Sequence, residues 1–387
     1  MNSRAEFGSF FLPGPTEVHP EVLAAMMRPM IGHRGPAMRG LLAEVDPMLR
    51  RLFGTARPVY VSTSSATGFM EAAIRNLSRR RILCLVCGAF SQRFHDIAER
   101  CGRPADRLDV PWGTPNRPEQ LHEALSGAAG RYDLVTVVHS ETSTGVLNPI
   151  ADLASVTAEF DDVLLAVDGV SSVGGLPIEF DEWRLDFLLT GSQKALALPP
   201  GLAFAAASAR ALERAREVPE RSYYFDLLEF ERRAADHSTT NTPAISLLYA
   251  LQAQVGRIEG EGLARRFERH ARMARRTHDW TAWIGEAGGR SFSVQAPVGY
   301  RSPTVTAVAL PDGLNGPDVV RSLAERGVTI APGYGKLKNR SIRIGHMGDH
   351  TPAELEAVLA ELADVLGVAG PQSAAALANA SEERGHG

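Results

Sequence analysis

Between residues 59 and 208, short apolar runs alternate with stretches whose apolar positions recur at helical spacing, and no other feature of the chain narrows its fold so far. "PVYVST" reads as a strand, "TGFMEAAIRNLS" as a helix, "RILCLVCG" as a strand, and "SQRFHDIAERCG" as a helix that ends at its glycine. The pattern continues through "ADRLDV", "PEQLHEALSG", "DLVTVVHS", "IADLASVTAEF", "VLLAVDGV", "DFLLTGS" and "GLAFAAAS". Near-continuous apolar strands separated by amphipathic helices predict an α/β architecture, with a mostly parallel sheet covered on both faces. Such sheets bind ligands at the carboxyl ends of their strands, so the residues just after each strand deserve inspection.

A chain of 387 residues exceeds one ordinary core, and its texture changes after residue 243. "PAISLLYALQAQVGRIEGEGLARRFERHARMARRTHDWTAWI" reads as a long charged helix connecting two domains. "SPTVTAVALP", "GPDVVRSLAERG", "VTIAPG", "RSIRIGHMG" and "TPAELEAVLAELADVLG" then read as strand, helix, strand, strand and helix, a smaller α+β layer. The expected division is an N-terminal segment at 1–19, a large domain at 20–255, a small C-terminal domain at 256–370 and a disordered tail at 371–387.

A formal net charge of -4, with both signs interspersed, leaves no basic footprint for nucleic acid and no attraction to anionic membranes, so small molecules are the expected partners. No apolar run reaches membrane-spanning length, and "MNSRAEFGSFFLPGPTEV" lacks the layout of a secretory signal, which makes the cytoplasm the expected compartment. Cys84, Cys87 and Cys101 are an odd number crowded into one region, as suits reduced thiols. Cys84 and Cys87 form a C-x-x-C, but within an apparent strand and with no second pair to complete a zinc site; we read them as structural.

Five strand ends carry residues able to do chemistry. After "PVYVST", the segment Ser64 to Gly68 opens a helix, where small hydroxyl residues either expose backbone N–H groups to a phosphate or simply cap the helix. After "RILCLVCG" comes Phe90, either core packing or a ring for a ligand to stack on. "ETSTG" after "DLVTVVHS" offers hydroxyls to a ligand or forms a turn. Asp168 closes "VLLAVDG", and burying that carboxylate is costly unless a cation meets it. Lys194 follows "DFLLTGS" in "TGSQKALALPPGLAF". Alone it reads as a surface lysine with its ammonium in water. In small apolar surroundings its charged form is disfavoured, and the amine becomes a usable nucleophile for a Schiff base. An amine, a carboxylate, a phosphate cradle and an aromatic ring are the four parts that a pyridoxal phosphate site needs.

"AVDGVSSVGGLPIEFDEWRLDFLLTGSQKALALPPGLAF" resembles the class V aminotransferases of fold type I, in particular the alanine-glyoxylate and serine-pyruvate branch. The resemblance runs from "FLPGPTEV" through "HSETSTGVLNPI" to "IRIGHMGDHTPAELEAVLAEL", nearly the whole chain apart from the tail. Its most specific elements are D-x-V-x-S and S-Q-K, with Lys194 following Asp168 by 26 residues.

The resemblance implies that Lys194 holds the cofactor and shuttles a proton, and that Asp168 pairs with the protonated ring nitrogen. It implies that Val170 packs under the ring and Phe90 above it, where many relatives carry tryptophan. Ser65, Ala66, Thr67 and Gln193 would cradle the phosphate, with Thr142 beside the ring. In "STTNTPAISLLYAL", Asn241 or Thr242 matches the segment that a neighbouring subunit contributes, which implies a homodimer with shared active sites. Arg343 in "RSIRIGHMG" matches the arginine for the substrate carboxylate, a task suited to its two-pronged guanidinium. His33 and Arg34 in "GHRGPAM" would reach the distal end of the substrate or the dimer interface. "HMGDH", His346 to His350, has a suggestive spacing, but Gly348 interrupts any helix, and no metal is expected.

The activity so implied is transfer of an amino group from an alanine or serine type donor to a 2-oxo acid such as glyoxylate or pyruvate, in a ping-pong cycle through pyridoxamine phosphate. The alternatives within the fold are an aminotransferase for a phosphonate or phosphorylated amine, and a lyase. A cysteine desulfurase is disfavoured because no cysteine follows Cys101. A nucleotide-binding enzyme is disfavoured because "VSTSSATG" is neither G-x-G-x-x-G nor a P-loop.

Overall fold

The structure, a computed structural model, describes residues 9–368, so the expected tail at 371–387 lies outside the described residues. The first part of the chain supplies nine strands: β1 (Tyr60–Ser62), β2 (Ile82–Val86), β3 (Ala105–Asp109), β4 (Leu134–Val138), β5 (Ser140–Glu141), β6 (Val146–Leu147), β7 (Leu164–Asp168), β8 (Phe187–Gly191) and β9 (Ala203–Ala207). Seven form one sheet in the order β1-β9-β8-β7-β4-β2-β3, and β5 pairs with β6 in a separate hairpin. Neighbours from β8 to β3 run parallel, whereas β9 is antiparallel to both β8 and β1. Two reversals restore direction, so β1 points the same way as the parallel strands and its carboxyl end falls on the same edge.

The helices of this part are α1 (Pro20–Ala25), α2 (Pro36–Phe53), α3 (Ala66–Leu77), α4 (Ala89–Arg100), α5 (Pro118–Ser126), α6 (Ile150–Thr157), α7 (Ala209–Glu217) and α8 (Leu227–Ala235). They cover both faces of the sheet, which explains why its central strands are buried at every position instead of at alternate ones. Successive side chains still point to opposite faces. Leu165 and Val167 of β7 join Leu41, Val45 and Leu49 of α2 in one core cluster, while Leu164 and Ala166 join Phe69 and Ala73 of α3 in another.

The stretch after residue 243, read as one long helix, is two: α9 (Ile245–Glu261) and α10 (Leu263–Gly288). Gly262 separates them at φ 83°, a conformation open to glycine and strained for other residues. The remaining strands are β10 (Ser293–Val294), β11 (Val305–Ala309), β12 (Ala331–Pro332) and β13 (Ser341–Gly345). They form an antiparallel sheet in the order β10-β11-β13-β12. This sheet packs with α10, α11 (Gly316–Ala324) and α12 (Pro352–Val365) through Met273, Trp280, Leu323, Val308, Ile342 and Leu355. Thr351 and Glu354 form a reciprocal capping box at the start of α12.

The segment "FLPGPT" ties the two sheets together. The Gly345 amide donates to the Phe11 carbonyl at 2.8 Å, and the Thr16 amide donates to the Gln193 carbonyl at 3.0 Å. No helix among the described residues is long and apolar enough to cross a membrane.

Candidate active site

Because β2, β4, β7, β8 and β1 point the same way, the residues that follow them gather on one edge of the large sheet. A cavity opens there. It is lined by nine of the residues singled out from the sequence: Ser65, Ala66, Thr67, Phe90, Thr142, Asp168, Val170, Gln193 and Lys194.

Lys194 is only 7% exposed. Its Nζ donates to the Pro13 carbonyl, and its backbone carbonyl accepts the Thr16 hydroxyl at 3.0 Å. Gly14 presses against the side chain so closely that a Cβ there would lie 2.3 Å from Lys194 Cδ, and its φ of 102° also demands glycine. Burial lowers the amine pKa from 10.5 to about 7; the nearby Arg343 guanidinium acts in the same direction and Asp168 against it. The amine is therefore substantially neutral near neutral pH, which is the state a nucleophile or proton acceptor requires.

Asp168 ends β7, the strand paired with β8, and is 4% exposed. Its Oδ1 accepts the Val170 amide at 2.8 Å. Burial raises its pKa to about 6, and the Glu141 carboxylate adds to the rise. Such a carboxylate is stabilised by a cation placed against it.

Also in the cavity wall, Ser65 precedes α3 without capping it: its side chain accepts no bond from the first turn. The simple cap reading therefore does not hold, and the positive end of a twelve-residue helix faces the cavity through Ser65, Ala66 and Thr67. A Cβ at Gly191 would lie 2.6 Å from Gln193 Oε1, so Gly191 makes room for that side chain. An amine of lowered pKa, a buried carboxylate in want of a cation and an uncapped helix terminus together fit pyridoxal phosphate, through its aldehyde, ring nitrogen and phosphate respectively.

The phenyl ring of Phe90 is stacked on Tyr334, with centroids 5.4 Å apart and planes 24° apart. Lys194 Nζ lies 5.7 Å from the same ring and the Arg93 guanidinium 4.7 Å from it. Arg343, buried in β13, donates from Nε to the Pro332 carbonyl and from Nη1 to the Thr142 carbonyl, at 3.0 and 3.3 Å. It thus approaches the cavity from the small sheet, by way of Thr142. Burial lowers its pKa to about 10.

The remaining candidates lie elsewhere. Arg34 is exposed and donates to the carbonyls of Thr239 and Thr240 at 2.8 and 3.3 Å. Asn241 donates to the Thr240 hydroxyl at 3.2 Å, and Thr242 is exposed. Neither of these residues, nor His33, lines the cavity. His346 is held by Thr306 and the Pro303 carbonyl, and His350 by the Phe10 carbonyl. Cys84 and Cys87 are buried, and burial pushes both thiols up to about 12.

Sequence reasoning passed over Arg93, Ser140 and Ser171, which also line the cavity, and Glu141 behind it. Glu141 is fully buried and accepts the amides of Phe90, Ser91 and Ser143, together with the hydroxyls of Ser91 and Ser143 at 3.0 and 2.6 Å. It caps α4 from a distance. The signal was Gly88, which has no side chain to cap its own helix; a Cβ there would lie 2.4 Å from Glu141 Cγ.

A family model described as Aminotransferase class-V matches residues 10–338. The chain is 37% identical over 357 residues to an uncharacterized aminotransferase of Methanocaldococcus jannaschii, covering 90% of each sequence. It is 32% identical over 350 residues to a serine–glyoxylate aminotransferase of Methylorubrum extorquens, covering 88% of this chain and 86% of that one. The crystal structure of an alanine–glyoxylate aminotransferase from Nostoc sp. superposes with a TM-score of 0.86 at 32% identity, over 92% of this chain and 95% of the other.

Proposed function

The chain belongs to the class-V aminotransferases, and from that membership we propose that it is a pyridoxal phosphate enzyme moving the amino group of an alanine or serine type donor to glyoxylate or pyruvate. The observation that carries this reading is the pairing of a buried Lys194 of lowered pKa with a buried Asp168 at the ends of two adjacent parallel strands, opening into one cavity with an uncapped helix terminus.

Lys194 would hold the cofactor and Asp168 would face its ring nitrogen. Ser65, Ala66, Thr67 and Gln193 would hold the phosphate, and Phe90 and Val170 would lie against the ring. The cofactor, when bound, supplies an aldehyde carbon for the donor amine and a ring that withdraws electrons from the bond being deprotonated. Lys194 Nζ would take the proton from the donor Cα in the first half of the cycle and deliver one to the acceptor Cα in the second; its lowered pKa suits both halves. Arg343 orients the substrate by its carboxylate, using guanidinium hydrogens beyond those on Pro332 and Thr142. Thr142, joined to Ser171 by a 2.5 Å hydroxyl contact, lines the side of the site nearest Arg343.

The cofactor-binding unit would be residues 20–255 and the small domain residues 256–370. A homodimer is the proposed assembly. Met27 and Met30, 82% and 64% exposed, lie just before His33 and Arg34, and an apolar surface at that place suits burial against a second copy. Asn241 or Thr242 would then serve the partner's phosphate. The proposed compartment is the cytoplasm, consistent with three free cysteines.

Purified protein should be yellow, and borohydride should abolish the visible band. Lys194→Ala should be colourless, with kcat reduced by about 10⁴-fold, the upper range for loss of a positioned proton carrier. A colourless wild type that takes up no added pyridoxal phosphate would overturn the proposal.

A further inference from the structure

Arg93 lines the same cavity as Lys194, Asp168 and Thr142, and no role has so far been assigned to it. It lies in the first half of α4, half-buried, with its guanidinium 4.7 Å from the Phe90 ring and Nη2 donating to the Tyr334 hydroxyl at 3.4 Å. Among the described residues no carboxylate pairs with it. Most arginines elsewhere on this part of the chain are paired: Arg81 with Asp106, Arg107 with Asp109, and Arg57 with Glu231. Arg343 is the other guanidinium at the site without a carboxylate, and it lies 5.5 Å from the ring of that same Tyr334. Two cations without counter-ions therefore flank one tyrosine at the wall of a catalytic cavity.

A guanidinium held against aromatic rings keeps its edge free for an anion, and a planar carboxylate is the match for that edge. The phosphate of a cofactor is an unsuitable occupant, because it has its own cradle at Ser65 to Thr67 and Gln193, and among the described residues the hydrogen bond of Arg93 goes to Tyr334 instead. Arg93 lies on the Phe90 and Tyr334 side, with Arg343. We propose that Arg93 binds the side-chain carboxylate of an acidic amino donor, so that the enzyme accepts a dicarboxylic donor such as aspartate alongside small neutral ones. The inference rests on the aminotransferase reading. In the reaction the donor exchanges its Cα–N bond for C=O while the acceptor exchanges C=O for Cα–N, so no outside oxidant is required. Arg343 takes one carboxylate and Arg93 the other, and a neutral donor leaves Arg93 to water.

The test compares aspartate with alanine as donor to glyoxylate, using holoenzyme. Arg93→Gln should lower the ratio of kcat/KM for aspartate to that for alanine by about 10- to 100-fold, the range for a hydrogen bond to a charged group. Arg93→Lys, which keeps the charge without the fork, should recover part of the ratio. A general packing defect would lower both substrates together and leave the ratio in place. Calorimetric titration with succinate and with butyrate gives a second readout: wild type should prefer succinate, and Arg93→Gln should lose that preference. An unchanged ratio in the variant, or a wild type that binds succinate no better than butyrate, overturns the inference. If Arg93→Gln does not fold, the wild-type preference and the Arg93→Lys ratio decide. If no donor at all is transaminated, the aminotransferase reading falls, and the succinate preference still decides for or against Arg93.

Discussion

The strand-end wall and the loop pair at 33–34 and 238–242 are both candidate parts of one active site, yet they are held in opposite ways. In the wall, Glu141 is fully buried under five donors, and Lys194 is fixed by Pro13, Gly14 and Thr16. In the loop pair, Arg34 is exposed and reaches only backbone carbonyls of the other loop, while Asn241 bonds only Thr239 and Thr240 of its own loop. The wall takes its geometry from this one chain. The loops hold each other and have no anchor in the cavity, which is the arrangement expected of parts whose position is completed by assembly.

That contrast predicts unequal costs of mutation, and the largest falls on Glu141. Glu141→Ala leaves the Phe90, Ser91 and Ser143 amides without an acceptor in a site closed to water. Each such group costs about 1–3 kcal/mol, so urea unfolding of the cofactor-free protein should show a loss of about 3 kcal/mol or more. A loss below about 1 kcal/mol would mean that the wall is no better anchored than the loops.

A smaller effect should follow from Lys194 and its lowered pKa. Between about pH 7 and 10.5 the unfolded chain keeps this lysine protonated while the folded chain does not, so the unfolded state binds more protons and stability rises with pH. The slope approaches about 1.4 kcal/mol per pH unit. Asp168 acts in the opposite sense at lower pH: between 3.8 and about 6 the folded state holds the proton, and stability falls as pH rises. Lys194→Met should remove the rise above pH 7 in cofactor-free protein and increase stability at neutral pH. Unfolding curves at pH 7 and pH 9 check this; an unaltered difference between the two would mean that Lys194 is not the buried amine described here.

The same contrast explains what was legible in the sequence. Strand ends are readable because apolar runs fix where each strand stops and a parallel sheet puts the stops on one edge; Asp168 and Lys194 follow from that rule with the chemistry of their side chains. Glu141 was hidden because a carboxylate among hydroxyls in "HSETSTG" reads as a turn, and its partners are the backbone of a helix some fifty positions away. Arg93 was hidden because at its place on α4 it has the form of any solvent-facing helix arginine. The break between α9 and α10 was misread because Gly262 sits in a charged stretch with helical spacing on both sides, and a glycine's φ is not written in the residues around it. Whether residues 238–242 serve this cavity or a partner's depends on assembly, which one chain's spacing does not encode.

The smallest predicted effect is the one that separates the loops from the wall. Arg34→Ala removes two hydrogen bonds to backbone carbonyls that an exposed site lets water replace, so the unfolding free energy of the cofactor-free chain should change by less than about 1 kcal/mol. If the loop pair is completed by a second copy, the same substitution should weaken self-association, measured by sedimentation across a dilution series. It should also speed cofactor loss from dilute holoenzyme, followed by the fading of the visible band. A stability loss as large as that of Glu141→Ala, with no change in either measurement, would make Arg34 a structural residue of its own protomer and erase the distinction between the two regions.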